Sequence, residues 1–244
     1  MRNLVFLVIL VISSCMAHVK SSSFENERDD IFHSENIVKV EFVFVDECTE
    51  DKCTKNHFTK TYGSGTIIKK DILNTATVLT VGHLCYEYFL SVEKRGEKRN
   101  ILKIYNNKME SYEATVNNYY LKNDICLLKV EHYDGEIENI PLREDVIIPG
   151  EEIFNIGAPT GLFSYNMVNR FRGFYAGNIA LGDTDNLKNV FNFPAVEGSS
   201  GSPIFDDEGA LIGIVSMFSK DFNYIILSPT IAELRKILST ELNQ

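Results

Sequence analysis

The chain has 244 residues, of which 44% are hydrophobic and 24% are charged. This balance is that of an ordinary globular protein, and the length suffices for one large all-β domain or two small ones. The 34 acidic and 24 basic residues give a net charge of -10. Because nucleic acids attract basic surfaces, this charge argues against a nucleic-acid partner.

The N-terminus carries a short basic stretch followed by an uninterrupted apolar run at residues 4–12. The run is too short to cross a bilayer as a helix, and it is typical of a secretory signal peptide, here residues 1–17. Two alternatives for its processing stay open. Cleavage after Ala17 would give a secreted or periplasmic protein. The segment ISSC, which ends at Cys15, resembles the lipobox of bacterial lipoproteins and would leave the protein anchored to a membrane by a lipid.

Residues 18–35 are polar, rich in Ser, Asp and Glu, and show no periodicity. They predict a flexible linker between the export signal and a folded domain, and His18 and His33 fall within it. Export permits disulfides. Cys48 and Cys53 bracket the polar turn TEDK between two strand-like runs, so we expect a local bridge there.

Beyond residue 36 the sequence predicts an all-β protein. VKVEFVFV at 38–45 alternates in part and NTATVLTV at 74–81 alternates throughout, and short runs of the same kind recur up to residue 229. Many short strands separated by turn signals indicate a sandwich or a barrel. The one helix that we predict lies at 230–244, where Thr230 is the expected cap of an apolar stripe.

The stretch VEGSSGSPIF, at 196–205, interrupts this pattern with four small residues, Gly198 to Gly201. A serine hydroxyl becomes a good nucleophile only when a base accepts its proton. It also needs a tight turn whose backbone N–H groups face the oxyanion, and glycine permits such a turn. Taken alone, the stretch is equally well explained as a surface turn.

A base and a carboxylate are available elsewhere in the chain. His83 closes the strand-like run VLTVGHLC, so we expect its ring to emerge at the end of a strand. His57 lies in a polar turn and His132 beside acids, where solvation explains them. Asp124 precedes the apolar run ICLLKV, and a carboxylate at the mouth of a buried strand needs a partner such as a histidine N–H.

Three motifs together resemble those of the chymotrypsin-like (trypsin-fold) serine proteases. TVGH, ending at His83, is similar to that family's TAAH, and NDICLL, containing Asp124, to its aspartate motif. GSSGSP, from Gly198, is similar to GDSGGP, and GIVS, ending at Ser216, to the strand that pairs with substrate. The order His, Asp, Ser is the order of the family.

The resemblance implies two six-stranded antiparallel β-barrels, residues 36–135 and 136–229, followed by the C-terminal α-helix. It implies that Ser200 is the nucleophile, His83 the general base and Asp124 the orienting carboxylate, with the N–H groups of Gly198 and Ser200 as the oxyanion hole. No metal or organic cofactor is implied, and the partner is a protein or peptide substrate. The oligomeric state is not written in the sequence.

Cys85 and Cys126 each follow a member of this predicted triad by two residues. We therefore expect the two cysteines near one another, either bonded or as small buried apolar side chains. Their spacing does not fit a zinc site.

The sequence departs from the digestive members of the family at Ser199, where they carry an acid that captures a new N-terminus. We therefore expect no activation of that kind. Small residues at this place, and a loop like NIGAPTG at 155–161, are similar to the bacterial HtrA-like and glutamyl-endopeptidase-like branches. Only 42 residues follow Ser202, so we expect no PDZ domain.

By the same matching, Pro194 forms the floor of the primary pocket, and its walls are Ala195, Ser216, Met217 and Phe218. The floor holds no acid, which favours a small or medium apolar side chain before the scissile bond. The sequence thus predicts an exported serine endopeptidase. The alternatives are a catalytically inactive protease-like module that binds peptides and, less favoured, an esterase.

Overall fold

The computed structural model describes residues 33–45, 58–95, 100–182 and 186–242. The predicted signal peptide, most of the predicted linker, the Cys48–Cys53 pair and His57 lie outside these residues. His33 lies inside them and is only 7% exposed, with its ring Nε2 2.8 Å from the carbonyl of Gly209. The assignment of His33 to a flexible linker is therefore wrong, because its ring is held inside the fold.

The first sheet is antiparallel and has seven strands, in the order β5-β4-β1-β2-β3-β7-β6. Its strands are β1 (Ile37–Val45), β2 (Phe58–Lys70), β3 (Ala76–Thr80), β4 (Asn100–Tyr105), β5 (Ser111–Glu113), β6 (Thr115–Tyr120) and β7 (Ile125–Val130). A 3-10 turn at Ser34–Asn36 leads into β1.

The second sheet is also antiparallel with seven strands, in the order β12-β11-β8-β9-β10-β14-β13. Its strands are β8 (Glu152–Gly157), β9 (Asn169–Ala180), β10 (Leu187–Asn192), β11 (Pro203–Asp206), β12 (Leu211–Ile214), β13 (Met217–Phe218) and β14 (Ile225–Pro229). A 3-10 turn at Pro159–Gly161 follows β8.

The two sheets and the C-terminal helix confirm the predicted all-β class. Within the described residues, each sheet has seven strands where six were expected, because it includes very short strands such as the two residues of β13. Strands alternate between core and solvent where one face is covered, as in β4, whereas β7 is buried along nearly its whole length. Large side chains such as Phe42, Leu127, Phe191 and Phe205 fill the interior of the molecule.

The fold contains a helix that the sequence did not predict. Helix α1 (Gly82–Arg95) begins two residues after β3 ends. His83 therefore lies in the first turn of a helix and not at the end of a strand. Leu84, Tyr88 and Val92 recur every four residues, the spacing that places apolar side chains on one helix face.

The second helix, α2 (Ile231–Leu242), has the predicted threonine cap. The Thr230 hydroxyl accepts the N–H of Glu233 at 3.3 Å, and the Glu233 carboxylate accepts the N–H of Thr230 at 2.8 Å. This reciprocal pair is a capping box, which satisfies N–H groups that a helix leaves open at its start. In the described part of the chain, no helix is both long and apolar enough to span a membrane.

Candidate active site

His83 and Asp124 form a hydrogen-bonded pair. The ring Nδ1 of His83 lies 3.0 Å from each carboxylate oxygen of Asp124. The His83 side chain is 40% exposed and the Asp124 side chain is 15% exposed. The carboxylate is thus largely shielded from solvent while the imidazole faces the surface, so Nδ1 is held as the donor and Nε2 is left to act on a ligand.

The pair shifts both pKa values. Burial by itself would lower the pKa of His83, but the hydrogen bond to Asp124 and the negative charge of Asp124 outweigh it and raise the pKa above its ordinary value. Burial by itself would raise the pKa of Asp124, but its hydrogen bonds with His83 and Ser216 and the attraction of the imidazole hold it below its ordinary value. Asp124 therefore stays ionised wherever His83 titrates.

Asp124 also caps the helix that carries His83. Its Oδ1 accepts the backbone N–H of His83 at 2.7 Å. Helix α1 has no acidic side chain in its own first turn, so Asp124 supplies the negative charge that the N-terminal end of a helix favours. Asp124 has a φ of +56°, a left-handed conformation that aspartate tolerates better than most residues.

A disulfide joins Cys85 to Cys126. Cys85 lies in α1 two residues after His83, and Cys126 lies in β7 two residues after Asp124. The expected proximity of the two cysteines is therefore confirmed. The covalent link fixes the helix that carries the imidazole against the strand that follows the carboxylate.

Ser216 connects this pair to the second sheet. Its hydroxyl donates to Oδ2 of Asp124 at 2.5 Å, and its side chain is buried. The sequence assigned Ser216 to a pocket wall and did not identify this contact. The neighbouring Val215 exchanges backbone hydrogen bonds with the serine turn, donating to Ser202 at 2.9 Å and accepting from Gly201 at 2.8 Å. The serine turn is thus joined to Asp124 through the backbone of Val215 and the hydroxyl of the next residue, Ser216.

The two serines of the turn have different environments. Ser199 is 2% exposed, and its hydroxyl accepts the N–H of Val196 at 3.2 Å within the turn. Ser200 is more exposed and makes no side-chain hydrogen bond to any described residue. A nucleophile has to be reachable by substrate, so this difference favours Ser200.

Two backbone N–H groups of the serine turn, those of Gly198 and Ser200, are oriented by the bonds that the preceding carbonyls make. The carbonyl of Glu197 accepts the N–H of Thr160 at 2.6 Å, and the carbonyl of Ser199 accepts the N–H of Ser202 at 2.9 Å. In a trans peptide the N–H points opposite to the C=O. The N–H groups of Gly198 and Ser200 therefore point away from these contacts, and neither meets an acceptor among the described residues. Such a pair is what an oxyanion requires.

The serine turn packs directly against the first sheet beside His83. The N–H of Ser64 in β2 donates to the carbonyl of Ser200 at 2.8 Å. At Gly63 a Cβ would lie 2.4 Å from Cδ1 of Leu84 and 3.1 Å from that same carbonyl, so a side chain there would displace Leu84 and crowd the turn. Within the described residues, no hydrogen bond joins His83 Nε2 to the Ser200 hydroxyl. Contacts of this kind often tighten only when substrate binds.

The residues assigned to the primary pocket lie around an apolar cluster. Ala195 is buried in a core that also contains Val215 and Ile226, and Phe218 packs against it. Pro194 is partly buried, whereas Met217 is 43% exposed. Ile226, which pairs with Phe218 between β14 and β13, is a further apolar residue here that the sequence reading missed. Among the described residues, no cluster of three potential metal ligands occurs.

The two antiparallel sheets, with a hydrogen-bonded histidine–aspartate pair and a partly exposed serine, define the chymotrypsin-like fold of serine proteases. Residues 63–214 match the family described as trypsin-like peptidase domain, and the chain belongs to that family. Among curated proteins, no sequence match is found.

Solved structures agree with this fold. The active form of the protease Rv3671c from M. tuberculosis is 20% identical with a TM-score of 0.61, covering 84% of this chain and 80% of that one. A serine-to-alanine mutant of Rv3671c from M. tuberculosis H37Rv, in its inactive form, is 19% identical with a TM-score of 0.58, covering 85% of this chain and 86% of that one.

Proposed function

We propose that the protein is an exported serine endopeptidase that works through an acyl-enzyme. The observation that carries the proposal is the bonded pair of His83 and Asp124, with its raised histidine pKa, beside an accessible serine and two open N–H groups. Membership of the trypsin-like peptidase family supports the peptidase class.

In the proposed reaction Ser200 Oγ attacks the carbonyl carbon of the scissile bond while His83 Nε2 takes the hydroxyl proton. The N–H groups of Gly198 and Ser200 stabilise the oxyanion, and Asp124 stabilises the imidazolium. The C–N bond then breaks, and His83 gives its proton to the leaving amine. Water, deprotonated by His83, hydrolyses the acyl-enzyme and restores the Ser200 hydroxyl.

The proposed substrate is a polypeptide with a small or medium apolar side chain before the scissile bond. Three features support this choice. Ala195 lies in an apolar cluster, and Phe218 packs against that cluster. The residue at the predicted floor of the pocket is Pro194, which carries no acidic group. Export by the N-terminal signal, with release after Ala17 or lipidation at Cys15, belongs to the same proposal. N-terminal mass analysis of the mature protein distinguishes the two processing routes.

Labelling with a fluorophosphonate probe tests the proposal. The wild type should react covalently, Ser200→Ala should not, and Ser199→Ala should still react because its hydroxyl serves only the turn. Labelled wild type should also lose all peptide hydrolysis. Silence of the folded wild type would favour a module that binds peptides without cleaving them, and labelling that persists in Ser200→Ala would refute the assignment of the nucleophile.

A further inference from the structure

Ser64 lies in β2 of the first sheet, and the catalytic assignments give it no role. Its side chain is completely buried. Its hydroxyl donates to the carbonyl of Gly198 at 2.8 Å and accepts the N–H of Ala158 at 2.8 Å. Its own backbone N–H donates to the carbonyl of Ser200. One residue of the first sheet therefore holds both residues whose N–H groups form the proposed oxyanion hole.

The conformation at Gly198 needs such support. Gly198 has a φ of +88°, and a Cβ there would lie 2.7 Å from the carbonyl of Ala158 and 2.8 Å from the N–H of Thr160. Only glycine fits, and glycine is also the residue whose backbone rotates most freely. The orientation of the Gly198 N–H therefore has to be fixed by hydrogen bonds to the peptides on either side of it.

Both of those peptides depend on the Ser64 hydroxyl. The peptide after Gly198 is bonded to it directly through the Gly198 carbonyl. The peptide before Gly198 is held by Thr160, in the loop whose first residue, Ala158, donates its N–H to the same hydroxyl. Thr160 itself has a φ of +54°, which is unfavourable for a β-branched residue and persists only where its surroundings enforce it.

We propose that Ser64 is a positioning residue of the oxyanion hole, whose hydroxyl fixes the Gly198 N–H in the orientation that stabilises the transition state. The proposal rests on the proposed function and goes beyond it, because it makes one buried hydroxyl of the first sheet set the geometry of a turn in the second half. Removal of the hydroxyl leaves the turn in place, since the Ser64 N–H to Ser200 bond is made by the backbone. It removes the direct bond to the peptide after Gly198 and the anchor of the loop whose Thr160 holds the peptide before it.

The variant Ser64→Ala tests this, and the chain offers a matched control. Ser228 is also fully buried, and its hydroxyl likewise accepts a backbone N–H, from Ile214 at 3.0 Å, and donates to a carbonyl, of Pro229 at 3.0 Å. It bonds to no residue of the serine turn. Ser228→Ala therefore removes an equally buried hydroxyl with two backbone partners, both of them away from the hole.

The first measurement is the second-order rate constant for fluorophosphonate labelling. Ser64→Ala should be slower by about 10- to 100-fold, somewhat less than the loss of a whole hole donor, and Ser228→Ala should stay within about threefold of wild type. The His83 pKa, followed by NMR, should be the same in all three proteins, because the bond to Asp124 is intact. Equal labelling rates in Ser64→Ala and wild type, or equal losses in both variants, would overturn the proposal.

The second measurement does not require activity. In protein labelled with ¹⁵N-glycine, the Gly198 amide signal should move in Ser64→Ala and keep its position in Ser228→Ala. If the wild type fails to label, the proposed function fails, and the Gly198 signal alone then tests the role of Ser64. A shift of this signal that is confined to Ser64→Ala supports the positioning role. An unchanged Gly198 signal in Ser64→Ala would refute it.

Discussion

At the residue scale, the carboxylate of Asp124 does three things at once. It accepts the ring N–H of His83, the backbone N–H of His83 and the hydroxyl of Ser216. A buried carboxylate is stable only when it is bonded in this way, and each bond favours the charged form. The low pKa of Asp124 and the raised pKa of His83 are therefore two consequences of one cluster.

The pH dependence of kcat/KM should report the His83 pKa. Only the neutral imidazole can accept the serine proton, so kcat/KM should rise with pH through a midpoint above 6.5, the ordinary value of histidine. In Asp124→Asn, burial would still lower the His83 pKa, but the carboxylate that raises it would be gone. The midpoint of kcat/KM should therefore fall below 6.5. The rate should also drop by about 10⁴-fold, because the imidazole loses its fixed tautomer.

The measurement is a pH profile of peptide hydrolysis from pH 5 to 9, with the His83 resonance titrated by NMR in parallel. An acid limb whose midpoint does not move in Asp124→Asn would contradict the assignment of that limb to the pair. Folding stability depends on pH in the opposite direction to kcat/KM. The charged pair stabilises the folded protein below about pH 6.5, and this contribution is lost as the pH rises through the raised folded-state pKa of His83.

At the element scale, the pair depends on how α1 is attached to β7. The helix begins at Gly82, where a Cβ would lie 3.1 Å from the backbone nitrogen of Ile125 and 3.2 Å from the backbone of Asp124. The close approach, the cap by Asp124 and the Cys85–Cys126 disulfide all join the same two segments. The imidazole is thus held by the backbone as well as by its own hydrogen bonds.

Removal of the disulfide should therefore affect stability more than chemistry. The bond links residues 41 positions apart. In the chain-entropy description, closing a loop of that length stabilises the folded protein against unfolding by about 4 kcal/mol. The double variant Cys85→Ser, Cys126→Ser should lose about 2–4 kcal/mol of unfolding free energy, measured by urea denaturation without reductant. Its kcat at low temperature should stay within about tenfold of wild type, since the cap by Asp124 remains. A stability equal to that of wild type would contradict this account.

At the scale of the whole molecule, the serine turn approaches the backbone of the first sheet most closely at Gly201. Gly201 has a φ of +87°, and a Cβ there would lie 2.1 Å from the carbonyl of Ser64 and 2.3 Å from the hydroxyl of Thr80. That hydroxyl donates to the same carbonyl at 2.8 Å. The buried polar groups at this contact are therefore paired, and the contact has no room for an added methyl group.

Gly201→Ala should be strongly destabilising, by at least about 2 kcal/mol, because it adds a backbone clash to the strain of a positive φ. Gly150→Ala is the matched control, since Gly150 has a φ of +97° and nothing within 4 Å of an added Cβ. It should cost only about 1 kcal/mol, from the strain alone. Equal unfolding free energies for the two variants in a denaturant titration would show that the contact at Gly201 is not tight.

The sequence was sufficient for the fold class, the Thr230 cap and the segments that meet at the site, because these depend on local patterns and short motifs. It did not predict α1, because strand-like residues run directly into the helix. The helical spacing of apolar residues is also carried by only three positions, Leu84, Tyr88 and Val92. The contacts of Ser216 and Ser64 could not be predicted, because each joins residues about 90 or more positions apart. Only the folded chain shows which buried hydroxyl meets which carbonyl.

The division of the site between the two sheets has a consequence for synthesis. His83 and Asp124 lie among the segments of the first sheet, which ends at Val130, whereas Ser200 and Ser216 lie among those of the second. Under the proposed mechanism, a nascent chain that has completed only its first sheet holds a base without a nucleophile, and it can cut nothing. The producing cell is therefore protected from premature proteolysis at least until Ser200 and Ser216 have been synthesised.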